Sequence, residues 1–201
     1  MKHLLFLLFF TPLISFAQAD KQETRFANGV QDSVPGTSLI LKDFTVSFQK
    51  IYTSDLDKEE LAAKIKLFLP TIKNFELKNT ENQSTYQFSG RITNFLVNYS
   101  KFEGRYFTFS QDVIDYPIYA NVLIQVKDRK YRVIVSEITF KSTRADSTRT
   151  AREITLDEEI CDRYQRKFLT NNQPKKTAKY LDNDLATSFD INIYNKISKD
   201  F

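Results

Sequence analysis

Most of the side chains that commonly carry catalysis are scarce or missing in this chain. Its only histidine is His3, its only cysteine Cys161 and its only methionine Met1, and tryptophan is absent. If the first residues are removed as a leader, no imidazole remains. Ser-His-Asp and Cys-His machinery and histidine-containing metal sites are then excluded. A single thiol cannot close an intrachain disulfide, so stability has to come from packing. There are only four glycines and no phosphate-cradling loop. No cofactor is expected. Charge of one sign is also scarce in excess: 29 Lys and Arg stand against 25 Asp and Glu, a formal net charge of +4. That small excess is spread along the chain, whereas nucleic-acid binders concentrate it in a stripe, so no nucleic-acid partner is expected.

What is present begins with "MKHLLFLLFFTPLISFAQAD". Lys2 supplies a positive start, Leu4 to Phe16 an apolar stretch, and Ala17-Gln18-Ala19 a small-x-small cleavage site, after Ala17 or Ala19. This is the pattern of a secretory signal peptide over residues 1–19. A membrane anchor fits less well, because the apolar run is shorter than the roughly 20 residues needed to span a bilayer. With no cysteine near the cleavage site, a lipoprotein is not expected. No later segment is apolar enough to cross a membrane, so the expectation is a soluble exported protein, periplasmic or extracellular. Residues 20–38, polar and carrying Gly29, Pro35 and Gly36, are read as a flexible leader. Residues 39–201 are read as a single domain.

Phe44, Val46 and Phe48 alternate with polar residues, as on a half-buried strand. A helix follows. Asp57 is placed to cap it, Glu60 occupies the reciprocal capping-box position, Leu56 and Leu61 form the staple, and Pro70 stops it. Leu61, Ile65, Phe68 and Leu69 share one face. Strand signals then run through "FELKN", through "TYQFSGRI" with a bulge or close approach at Gly90, and through Phe95 to Tyr99 and Tyr106 to Phe109.

The segment "VLIQVKDRKYRVIV" reads as a hairpin turning at Asp128-Arg129. That register pairs Val126 with Tyr131, Ile124 with Val133 and Val122 with Val135 on a core face. The other face then pairs Gln125 with Arg132, Leu123 with Ile134, Asn121 with Ser136 and Tyr119 with Ile138. Residues 141–173 lose the alternation and read as a long charged excursion, with a short helix near Leu156 to Phe168. Ala178, Leu181, Leu185, Phe189 and Ile193 then fit a C-terminal amphipathic helix over residues 174–199 that covers the sheet. The expected class is α+β: a strand, a helix, four or five antiparallel strands and a long helix, with the helices on one face of a curved sheet.

Three segments, "DKEELAAKIKLFL", "YQFSGRI" and above all "VKDRKYRV", resemble a family of exported domains from Bacteroidota-type envelopes with a TBP-like fold. The resemblance spans Phe44 to Phe140 and the final helix, and it implies a fold without an activity, since that family has none established. Two positions depart from the family pattern. Phe68 stands where a tryptophan is common, and Arg129 where the turn usually has glycine, which implies a strained or longer turn.

The remaining chemical candidates are weak. Cys161 has Arg163, Arg166 and Lys167 nearby but also Glu158, Glu159 and Asp162, and it reads as an inert thiol. Asp55, Asp57, Glu59 and Glu60 are explained by a helix N-terminus. Asp182 to Asp190 fails as a calcium loop, having Thr187 where glycine is required and Ile193 where glutamate is. Arg144, Arg149, Arg152, Lys175, Lys176 and Lys179 read as a solvated surface diluted by acids. Asn82 and Asn98 stand in incidental glycosylation triplets, and Asp32-Ser33-Val34 and Asp146-Ser147-Thr148 resemble O-glycan acceptors. The expectation is therefore a non-enzymatic exported module. Its candidate binding face is Tyr119, Asn121, Gln125, Arg132, Ser136 and Ile138, and its partner is a protein or small apolar ligand of the cell envelope. The alternative is a carrier that holds an apolar ligand or lipid between the sheet and the C-terminal helix.

Overall fold

The computed structural model describes residues 32–78, 85–98, 113–142, 152–162 and 167–193. The strand signals at 106–109, the start of the chain including the expected leader cleavage, and residues 194–199 of the expected last helix lie outside these residues. Ten strands and three α-helices are described: β1 (Asp32–Ser33), β2 (Leu39–Lys42), β3 (Thr45–Thr53), α1 (Lys58–Phe68), β4 (Phe75–Leu77), β5 (Gln87–Phe95), β6 (Ile118–Lys127), β7 (Lys130–Lys141), β8 (Glu153–Thr155), α2 (Leu156–Ile160), β9 (Cys161–Asp162), β10 (Lys167–Phe168) and α3 (Asn172–Ser188). The class is α+β.

The main sheet is antiparallel in the order β1-β2-β3-β7-β6-β5-β4. The 12 residues of β7 are long enough to serve two partners along one edge, β3 over its first half and β8 beyond it. The sheet is thus wider than the four or five strands expected. Its additional members are two to four residues long, too short to show an alternation. One of them, β1, falls within the stretch read as leader and pairs with Leu41 and Ile40.

The hairpin register holds from the turn to Asn121 opposite Ser136. The turn keeps two residues, and Arg129 takes a left-handed φ of 55° where glycine would be relaxed. Beyond Ser136 the expected register fails. Between Asn121/Ser136 and Tyr119/Thr139, β7 advances one residue more than β6, and Glu137 sits at φ 54°. This bulge turns Ile138 inward, where it is 2% exposed, so its expected place on the open face is corrected. A second irregularity, in β5 between Ile92 and Phe95 with Asn94 at φ 54°, lies against the same stretch of β6. Phe44 is also displaced from its expectation. With Asp43 it forms the two-residue β2–β3 turn, both residues at positive φ, so its side chain lies 47% exposed at the tip instead of on the buried face.

One face of the sheet is buried. Phe48, Val122, Ile124, Val126, Tyr131, Val133 and Val135 join Leu61, Ile65, Leu156, Ile160, Leu181 and Leu185 from the helices in a single core. Each large side chain so removed from water contributes roughly 1.5–3 kcal/mol. The first helix has its expected cap but only half of the expected box: Asp57 Oδ1 accepts the Glu60 N–H at 2.9 Å, no reciprocal bond from the Asp57 N–H to Glu60 forms among the described residues, and Pro70 lies in a short 3₁₀ turn beyond the helix. A full reciprocal capping box forms in α2 between Thr155 and Glu158. Gly90 marks a close approach, with the ring of Phe75 lying where a side chain would be. The last helix ends at Ser188, and helical geometry resumes over 191–193 after a break at Phe189 and Asp190.

Candidate functional site

The helices pack on the core face, which leaves the opposite face uncovered by any described helix. Period-two alternation places its residues in rows across the strands. Nearest the hairpin tip, Thr53, Lys130 and Lys127 align. Ile51, Arg132, Gln125 and Gln87 form the next row, followed by Gln49, Ile134, Leu123 and Ser89. In the last, Ser136, Asn121, Arg91 and Glu76 align. The second row is tied together by hydrogen bonds. Arg132 donates from Nε and Nη2 to Gln125 Oε1 at 3.2 and 2.6 Å, and Gln125 Nε2 donates to Gln87 Oε1 at 3.5 Å. The guanidinium is therefore held to the neighbouring strand. Between polar rows, Leu123 and Ile134 are half-buried side by side, and Ile51 is 63% exposed.

Of the six residues anticipated for this face, Tyr119, Asn121, Gln125, Arg132 and Ser136 are brought together on it. Ile138 is not. Asn121 donates to Glu137 Oε2 at 2.5 Å, and Lys141 Nζ sits 4.8 Å from the Tyr119 ring centre while pairing with Glu153 at 3.3 Å. The face also includes residues that the hairpin pattern alone did not reveal, Gln49 and Ile51 on β3 and Gln87, Ser89 and Arg91 on β5. Their own alternation was readable, but which strand neighbours which was not.

No protein-family model matches the chain, and no curated protein matches its sequence. The fold has neighbours in two Bacteroidota proteins. One is a TBP-like protein from Parabacteroides distasonis ATCC 8503, 12% identical, with a TM-score of 0.48 over 74% of this chain and 92% of that one. The other is a DUF4468 family protein from Bacteroides ovatus ATCC 8483, 14% identical, with a TM-score of 0.49 over 83% of this chain and 94% of that one.

Behind the sheet, buried polar groups fasten the C-terminal helix. Tyr52 Oη donates to Ala186 O at 2.9 Å and Tyr131 Oη to Phe189 O at 2.8 Å, and Tyr131 Oη accepts the Ile191 N–H at 3.0 Å. Burial pushes both phenols well above their ordinary range; the Ile191 bond partly opposes this at Tyr131. Such phenols stay protonated and act as donors, not bases. Asp182 Oδ1 accepts the Ser38 N–H at 2.6 Å, and Asp184 Oδ2 accepts the Asn98 N–H at 2.9 Å. Burial raises the Asp182 carboxyl, against the lowering effects of Ser38 and Lys50. These acids hold distant backbone segments against α3. Cys161 is buried at the end of α2, and among the described residues no three His, Cys, Asp or Glu side chains gather as metal ligands. No described helix is long and apolar enough to cross a membrane.

Proposed function

We propose that this protein is a non-enzymatic exported module that binds a partner of the cell envelope through the uncovered face of its sheet. The observation that carries the reading is the second row of that face, where Arg132, Gln125 and Gln87 are oriented by one another beside the half-buried pair Leu123 and Ile134. A guanidinium and amides arranged around aliphatic groups match the composition of protein interfaces, in which arginine is enriched. The signal-like residues 1–19 support export. Four of the buried polar groups, Tyr52, Tyr131, Asp182 and Asp184, are engaged in holding α3, which supports a binding role over catalysis.

The test uses protein recovered from its own host and weighed by native mass spectrometry. A bound partner lost on replacing Tyr119 and Arg132 by alanine, with the thermal transition nearly unchanged, is the expected result. A reproducible turnover abolished by one polar substitution on this face would overturn it, and a copurifying lipid retained by the double variant would favour the carrier instead.

A further inference from the structure

The uncovered face is electrostatically lopsided. On its two rows nearest the hairpin tip stand Lys127, Lys130 and Arg132, all exposed, and no Asp or Glu. The third row adds only Gln49, Ile134, Leu123 and Ser89. Nearby acids lie elsewhere. Asp128 is in the turn itself, and exposed Asp55 follows Ser54 just past the end of β3. Asp57, Glu59 and Glu60 belong to the start of α1, which packs on the covered side, and Glu76 and Glu137 stand at the fourth row, at the far end of the face. Neither Lys127 nor Lys130 has a salt-bridge partner among the described residues.

Two features at this end run against local stability. Lys127 and Lys130 are directly opposed, an unfavourable cross-strand pair. Arg129, between them in sequence, holds a left-handed backbone that glycine would adopt freely. Local conflicts that the fold does not itself repay mark positions kept for something outside it.

We propose that the partner of this face is an acidic protein segment, laid across β3, β7 and β6 with carboxylates over Lys127, Lys130 and Arg132 and apolar side chains over Ile51, Leu123 and Ile134. This rests on the reading of the uncovered face given above. The charge selects an anion, and the remaining chemistry selects among anions. The tip carries only Lys, Asp and Arg, with no apolar wedge to enter a lipid layer, while the aliphatic pair is recessed among amides that can hydrogen-bond a polypeptide. Complementary charge of this kind acts on encounter rate and salt dependence as well as affinity.

The probe is a glutamate-rich glutamate–tyrosine copolymer, titrated into the whole exported chain at low and physiological ionic strength, with phosphatidylglycerol vesicles in parallel. The triple variant Lys127→Glu, Lys130→Glu, Arg132→Glu should lose about tenfold or more in copolymer affinity, while Lys66→Glu, Lys175→Glu, Lys179→Glu, which changes net charge equally from exposed helical positions, should stay within about twofold. The milder Lys127→Gln, Lys130→Gln pair should show an intermediate loss and guards against misfolding of the first. No copolymer binding by the parent chain, or equal losses in the two triple variants, overturns the proposal. So does binding to the vesicles alone. If the copolymer fails while Tyr119→Ala still releases the host-derived partner, the acidic partner is wrong and the binding face stands.

Discussion

The rings of Tyr52 and Tyr131 stack with centroids 4.8 Å apart and planes 9° from parallel, and their hydroxyls donate to the carbonyls of Ala186 and Phe189, in the last turn of α3 and just beyond it. They sit on adjacent strands, paired in register, so the sheet itself sets the spacing of the two donors. Through them the central strands hold the helix that closes the core.

Tyr131→Phe should therefore be more damaging than its loss of one oxygen suggests. It leaves the Phe189 carbonyl and the Ile191 N–H without that partner in a buried place, a loss of about 1–3 kcal/mol. Tyr52→Phe removes only a donor and should cost less. Urea denaturation of the two single variants and the double variant reads both losses and their coupling; equal midpoints for parent and Tyr131→Phe would contradict the clasp.

Alkaline pH should release the same clasp. Both phenols lie above the unfolded value of about 10, so the folded state keeps protons that the unfolded chain gives up. Their contribution is complete below that pH and falls as pH rises through and beyond it, by about 1.4 kcal/mol per pH unit for each tyrosine. Denaturation midpoints measured from neutral pH upward should decline from about pH 10, and the decline should be shallower in the double Phe variant.

Asp182 carries the opposite sign from an ordinary salt-bridged carboxylate. Its folded value is raised, so the stability it contributes is complete below the unfolded range and diminishes as pH rises through the folded value. Asp182→Asn keeps an oxygen for the Ser38 N–H and removes the buried charge; at neutral pH it should equal or exceed the parent in thermal stability. Asp182→Ala removes the acceptor and should be less stable. A marked loss in the Asn variant would show that the charge itself is needed.

Gly90→Ala should destabilise by about 1–3 kcal/mol, the cost of overpacking. Its Cβ would meet the Phe75 ring and lie 2.7 Å from the Glu76 carbonyl oxygen. Adding Phe75→Leu should recover only part of the loss, because the carbonyl is backbone and cannot yield. Full recovery would place the whole conflict in the ring.

Arg129→Gly should raise stability by about 1 kcal/mol, since it relieves a left-handed backbone in a non-glycine residue. The Ser54 N–H bond to the Arg129 carbonyl, 2.9 Å, is made by main chain and survives the change. A thermal midpoint at or below the parent's would mean that the guanidinium contributes to the fold.

Legibility followed the range of the interactions concerned. The first helix could be read because its cap, staple and terminating proline are neighbours in sequence, and the hairpin because ten alternating residues and a short turn leave one register that buries all the valines. The same logic misplaced Ile138, because a bulge at Glu137 depends on the strands on either side and carries no glycine to announce it. It also missed β1 and β8, whose few residues become strands only because longer neighbours offer them hydrogen bonds.

By itself, then, the sequence determined the α+β class and the two faces of the central hairpin, consequences of period-two and period-3.6 patterning. Only the tertiary structure decided the order of strands, the rows of Arg132, Gln125 and Gln87 that make one face a candidate surface, and the Tyr52 and Tyr131 clasp on α3. Those partners lie up to 134 residues apart in the chain, and polar groups of that kind choose one another only after the core has packed and left them no water.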